Sequence, residues 1–131
     1  MRSAPKGLFP IFFIVDIGFI FYWTITYLNL VPPEFLYKDY SNPLMVDWNW
    51  SFFPIDMLIS LSGLNSIRLY KTNSAHWVIF ALGSLTLTMC SGLMAISFWW
   101  YHKDFDPAWW LPNLFLLVYP FFYFNKTYKI L

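Results

Sequence analysis

The chain has 131 residues, 59% of them hydrophobic and 24% aromatic but only 11% charged, with a formal net charge of +1. Soluble domains carry about 25% charged residues, so the balance excludes an ordinary soluble protein and points to an integral membrane protein. Nothing in so small a net charge suggests a nucleic-acid partner.

The first hydrophobic run covers about residues 8–30. A hydrocarbon core of about 30 Å takes roughly 17–25 helical residues, so this run suffices for a span. It is too long for the apolar part of a signal peptide and has no small-x-small cleavage site before Glu34, so it is expected to stay in the mature protein. Asp16 is the one charge between Lys6 and Glu34. A charged side chain near the bilayer centre costs roughly 2.5–3.5 kcal/mol on insertion scales, so such acids face a bundle interior, a cavity or a ligand. Helical spacing puts Asp16, Phe19 or Ile20, Trp23 and Tyr27 on one stripe, an acid with aromatics above it. That is the shape of a site for a lipophilic cation, because a carboxylate neutralises an ammonium and a desolvated aromatic face adds about 2 kcal/mol. The competing reading is a protonated Asp16 bonded to a neighbouring Ser or Thr, Thr88 among them, with the aromatics as packing.

Residues 31–50 form the longest connection and include Phe35, Tyr37, Tyr40, Trp48 and Trp50. Disordered linkers are poor in aromatics, so this outer loop is expected to be ordered, as an interfacial aromatic belt or a lid over the bundle. The second span, about 51–69, opens on Pro54 and Asp56. Proline suits a first helical turn, where its missing N–H would be unpaired anyway. Asp56 reads either as a helix-start acid favoured by the dipole or as a ligand contact.

The third span, about 75–101, is apolar on all sides from Ile79 to Trp100, unlike the alternating strands of a membrane barrel. Its Ser84, Thr88 and Ser91, with Ala81 and Ala95, form a small hydroxylated stripe suited to close helix packing. Cys90, the single cysteine, is expected to be a core thiol. The fourth span, about 109–124, is the shortest, with Trp109 and Trp110 at its interface end. By helical rise, Asp16 lies about 12 Å from the cytoplasmic end of its span and Asp56 about 8 Å below the outer end. They are therefore not expected to pair, whereas Asn113 shares the depth of Asp56 and an Asp56–Asn113 hydrogen bond is expected. The starts of spans two and four are loosely alike, a weak sign of internal duplication.

Alternating spans put Arg2, Lys6, Arg68, Lys71, Lys126 and Lys129 on one side and Lys38 and Lys103 on the other. The positive-inside rule then makes both termini cytoplasmic, in a plasma membrane. Glu34, Asp39, Asp47, Asp104 and Asp106 all fall in the two outward connections. No HExxH, CxxC, glycine-rich phosphate loop or intramembrane Ser-His-Asp set occurs, so no catalytic residue, metal or cofactor is assigned. His102, beside Asp104 and Asp106, reads as a solvated loop histidine, and His76 as an interface residue.

Leu30 to Asp56, with Pro32, Pro33, Trp48, Trp50 and Pro54, and the ending that begins Trp109-Trp110-Leu111-Pro112-Asn113 resemble the small bacterial YvaD-like membrane proteins over nearly the whole chain. That resemblance implies a bacterial plasma membrane and brings no activity with it. More remotely the layout is similar to the EXPERA family, which includes emopamil-binding sterol isomerase and the sigma-2 receptor. Asp56 matches that family's second-span acid, and Asn113 with Pro120 its Asn-to-Pro spacing. The likeness implies a membrane-embedded cavity for sterols and amphiphilic amines. The isomerase branch also carries a bundle histidine, absent here from every span's depth. Proton transfer at a sterol double bond needs a tuned acid and base, so binding outranks isomerase chemistry, which is the enzymatic activity left most open.

The expectation is an all-α integral membrane protein, a four-transmembrane-helix bundle forming one domain over residues 1–131. Its aromatic-lined pocket takes a lipophilic, cationic or sterol-like small molecule. Asp16 recognises the charge, Asp56 and Asn113 line the outer end, and Trp23, Tyr27 and Thr88 are walls. The partners are the lipid bilayer and that small molecule, with homodimerisation open. The alternatives are a small dimeric proton-coupled exporter working through Asp16 and a structural or immunity-type subunit without ligand.

Overall fold

A computed structural model describes residues 3–131, and among these it is all-helical. Four long helices, α1 (Leu8–Tyr27), α3 (Phe53–Lys71), α4 (Trp77–Tyr101) and α5 (Pro107–Tyr128), are joined by a 3-10 turn (Pro33–Phe35), the short α2 (Pro43–Trp50) and tight loops. Two of them, α1 and α4, are long and apolar enough to cross a membrane. The hydropathy of α3 is lowered by Ser60, Ser62, Asn65, Ser66 and Arg68, and that of α5 by Pro112, Asn113 and Pro120.

Three helices end by one device. Asn29, Asn73 and Lys103 adopt a left-handed backbone (φ 52, 57 and 54), and the next residue's N–H reaches back to Ile25 O, Leu69 O and Trp99 O respectively. This closes the carbonyls a helix end leaves open, and asparagine tolerates the conformation better than most residues. Thus α1 stops at Tyr27, short of the apolar run's end at residue 30. Two starts also share a device: Asn42 and Asp106 accept from Leu44 N–H and Ala108 N–H, each ahead of a proline at the first helical position.

Two expectations are refined here. The outer loop at 31–50 contains a helix, because Asn42-Pro43 is a cap followed by a helix-starting proline; an aromatic-rich run without clear period hid it. The fourth helix is 22 residues long rather than the shortest, since helical hydrogen bonding continues past the apolar run through Asn125 and Lys126 to Tyr128.

Helix α1 packs on α3, α3 on α4 and α4 on α5. At the end of the bundle holding the termini, Leu8, Phe12, Val15, Trp77, Val78, Ala81, Leu85 and Tyr119 form the apolar core. Gly92 brings α4 and α5 together: a Cβ there would lie 2.8 Å from Asn113 O and Leu117 N, the close approach that small residues permit between helices. At the opposite end α2 closes the bundle with aromatics. Trp48 meets Phe52, Phe98, Trp99 and Trp109, and Trp50 meets Trp23 and Phe53. Lys38 pins this cap to the α4–α5 connection, with Nζ 2.7 Å from both Asp104 oxygens and 3.2 Å from Asp106 Oδ2, and 5.6 Å above the Trp99 ring.

Candidate functional site, a cavity between the first and last helices

The chain of helix contacts leaves α1 and α5 with little direct backbone packing, and a cavity of about 380 Å³ occupies that seam beneath the cap. Gly18, Phe19, Tyr22 and Trp23 line it from α1, Asn49 from α2, Asp56 from α3, Ser91 and Ala95 from α4, and Trp109, Pro112, Asn113 and Leu116 from α5. Gly18 opens the wall, because a Cβ there would meet nothing within 4 Å.

The cavity's polar end is built by all five helices. Asp56, in the first turn of α3, is buried and accepts from Trp23 Nε1 at 2.9 Å and Ser91 Oγ at 3.1 Å. Those two donors, from α1 and α4, fix the carboxyl without a cation. Tyr22 Oη donates to Asn49 Oδ1 at 3.0 Å, leaving the buried Asn49 Nδ2 without a partner among the described residues. Asn113 Nδ2 donates to Trp109 O at 2.8 Å, and Trp109 Nε1 donates to Ala95 O at 3.1 Å, fixing the indole against α4. The chamber thus offers one carboxyl, two amides and several aromatic faces within an otherwise apolar lining. Pockets for drug-sized ligands run from about 300 to 1,000 Å³ and have this mixture. Among the described residues no cluster of three or more His, Cys, Asp or Glu side chains could hold a metal.

Outside the bundle, the Lys38 amine is raised above its usual range: burial lowers it, but hydrogen bonds to Asp104 and Asp106 outweigh this. The Asp106 carboxyl is lowered, first by the Ala108 N–H and then by Lys38.

Asp56, Asn113 and Trp23 come together in the chamber. Asp56 and Asn113 share it without the expected direct hydrogen bond, because Asp56 is satisfied by Trp23 and Ser91 and Asn113 turns back onto its own helix. Asp16 does not line the cavity. It is fully buried below it, and neither carboxyl oxygen has a hydrogen-bond partner among the described residues. Thr88 is also buried outside the lining and donates to Ser84 O at 2.7 Å rather than to Asp16. Tyr27 is 73% exposed, since four residues beyond Trp23 the stripe has drifted off the inner face. Cys90 lies on the outer surface instead of in the core. Tyr22, Asn49 and Gly18 were not anticipated; a glycine inside an apolar span was the available signal for the last.

Residues 8–130 match a family described as a family of unknown function, DUF5360. The chain belongs to the DUF5360 family. The chain is also similar to the uncharacterized protein YvaD of Bacillus subtilis (strain 168), 49% identical over 118 residues, covering 90% of this chain and 89% of that protein. The YvaD-like resemblance is therefore upheld for this DUF5360 member. No solved structure matches.

Proposed function

We propose that this DUF5360 protein is a four-span membrane bundle with cytoplasmic termini that binds a lipophilic, cationic or sterol-like small molecule in the α1–α5 cavity. The observation that carries the reading is a drug-sized chamber whose apolar and aromatic lining holds one buried carboxyl, Asp56. A bilayer setting is supported by large apolar side chains exposed on every long helix, such as Phe13 and Phe21, Leu58 and Leu61, Ile79 and Leu93, and Phe121 and Phe122. Orientation rests on the lysine and arginine asymmetry, of which Arg2 lies outside the described residues. Charge recognition passes from Asp16 to Asp56, because Asp56 faces the chamber. Asp56 and Asn113 are also the positions that resemble the EXPERA pattern.

Two other readings carry less support. A ligand-free structural subunit calls for a solid core with both acids satisfied, and here a cavity is open and Asp16 lacks a donor among the described residues. Isomerase chemistry calls for a base beside the acid, and no histidine lines the chamber.

The test is ligand-induced thermal stabilisation in mild detergent with benzyltributylammonium, whose charge is permanent. A ligand bound only by the folded state stabilises by about 2.7 kcal/mol at a hundredfold excess over Kd. The wild type is expected to shift upward. Asp56→Asn should lose the shift, and so should Gly18→Phe, which fills the chamber. A shift unchanged in both variants refutes the proposal.

A further inference from the structure

The helices repeat one spacing across the bundle. Trp23 and Asp16 on α1, Asp56 and Gly63 on α3, and Ser91 and Ser84 on α4 are each seven residues apart, or about 10 Å along a helix. They form two stacked layers. In the upper one Trp23 and Ser91 both donate to Asp56. In the lower one the Asp16 carboxyl occupies the space Gly63 leaves, where a Cβ would overlap its Oδ2. The nearby hydroxyls are spent elsewhere: Ser84 Oγ donates to Ile59 O, Thr88 Oγ1 to Ser84 O, and Ser60 Oγ to the Asp16 backbone carbonyl. The same architecture thus satisfies one acid and leaves the other without a donor among the described residues.

The surroundings of Asp16 supply no countercharge. Helix α3 presents Gly63 and Ser60, with Asp56 one layer above, and α4 presents Ser84 and Thr88. From α5 the titratable neighbour is Tyr119, whose hydroxyl is buried. No lysine, arginine or histidine acts on the carboxyl among the described residues. An uncompensated buried carboxylate is strongly disfavoured against its neutral acid.

We propose that Asp16 is a proton-binding site and that the protein exchanges this proton for the cation in the chamber above. This rests on the cation-binding reading of that chamber. The Asp16 O–H bond breaks as a cation enters, its electron pair stays on the carboxylate, and the proton passes to water. One positive charge replaces another inside the bundle. Attraction between the cation and the Asp16 carboxylate over about 10 Å, at an effective dielectric of about 20, strengthens binding about tenfold when Asp16 is ionised. Ligand affinity therefore rises with pH through the Asp16 titration, and binding releases protons.

The experiment measures benzyltributylammonium binding and proton release in nanodiscs across pH, for wild type and Asp16→Asn; the probe itself does not titrate. The wild type should release protons on binding and tighten from acid to alkaline pH, with Asp16 contributing about tenfold beyond the ionisation of Asp56. Asp16→Asn, a neutral stand-in for the protonated acid, should bind about tenfold more weakly than the wild type at alkaline pH, where Asp56 is ionised in both, and release fewer protons. Binding with the same proton release in both overturns the exchange while leaving the binding function intact. No binding by the wild type at any pH overturns both. Should Asp16→Asn fail to fold, infrared spectra of unliganded Asp56→Asn serve: a protonated-carboxyl band at neutral pH is expected, and its absence refutes the Asp16 proton.

Discussion

Gly63→Ala is the sharpest probe of how the bundle accommodates its buried acid. The new methyl would overlap the Asp16 carboxyl and come within 3.0 Å of Ser84 Oγ. Gly63 is buried, Ser84 is tied to Ile59 O, and Ser60 anchors the α1 backbone at Asp16, so neighbouring groups have little room to yield. Overpacking of this kind costs about 1–3 kcal/mol, against a helix-propensity gain of up to about 1 kcal/mol from replacing glycine by alanine. The overlap with the carboxyl is severe enough to place the cost in the upper part of that range, about 2–3 kcal/mol, which leaves a net loss of about 1–2 kcal/mol. Asp16→Ala removes the obstructing carboxyl, so the double variant should recover most of that loss, with a coupling energy of about 1–2 kcal/mol, within the usual range for residues in contact. The assay is a double-mutant cycle by reversible unfolding in mixed micelles. Additive effects, or a Gly63→Ala protein as stable as wild type, would show that Gly63 does not make the notch for Asp16.

Gly92→Ala drives a Cβ against α5 backbone atoms and should destabilise by about 1–3 kcal/mol, whereas Gly83→Ala, with nothing within 4 Å of its Cβ, should be neutral or slightly stabilising in the same unfolding assay. Lys38→Met should loosen the cap and modestly lower the melting temperature near neutral pH. The contribution of lowered Asp106 is present above the ordinary carboxylate value of 3.8 and lost as pH falls through its lower folded value; that of raised Lys38 is present below 10.5 and lost as pH climbs through its higher folded value. Melting curves across pH should therefore show the Lys38→Met deficit shrinking at both extremes, and a deficit constant with pH would count against the clamp. In a Cys90→Ser background, single cysteines at Ser41 and Lys103 should label from outside sealed cells and those at Ser3 and Thr72 should not.

The long helices were legible because unbroken apolar runs between charged flanks admit few alternatives. Their ends were less so: the left-handed Asn29 stops α1 inside an apolar run, and α5 outlasts its own through Lys126. Helical rise fixes height along the bundle axis, and Asp56, Asn113 and Trp23 lie together in the chamber. Asp16 and Tyr27 were placed less well, because the face a side chain presents depends on how each helix is rotated. That rotation is set by contacts distant in sequence, such as Trp23 to Asp56 and Ser60 to the Asp16 carbonyl. Asn49 joined the site through the fold of α2 over the bundle end, which the sequence of residues 31–50 does not advertise.

Photo-crosslinking of a diazirine-bearing quaternary ammonium in nanodiscs, mapped by mass spectrometry, tests the chamber most directly. Labels should concentrate on Phe19, Trp109 and Leu116, compete away with benzyltributylammonium, and disappear in Asp56→Asn. Labels spread over the exposed Phe13, Leu61 and Phe121, indifferent to competitor and to Asp56, would contradict a cation site between α1 and α5.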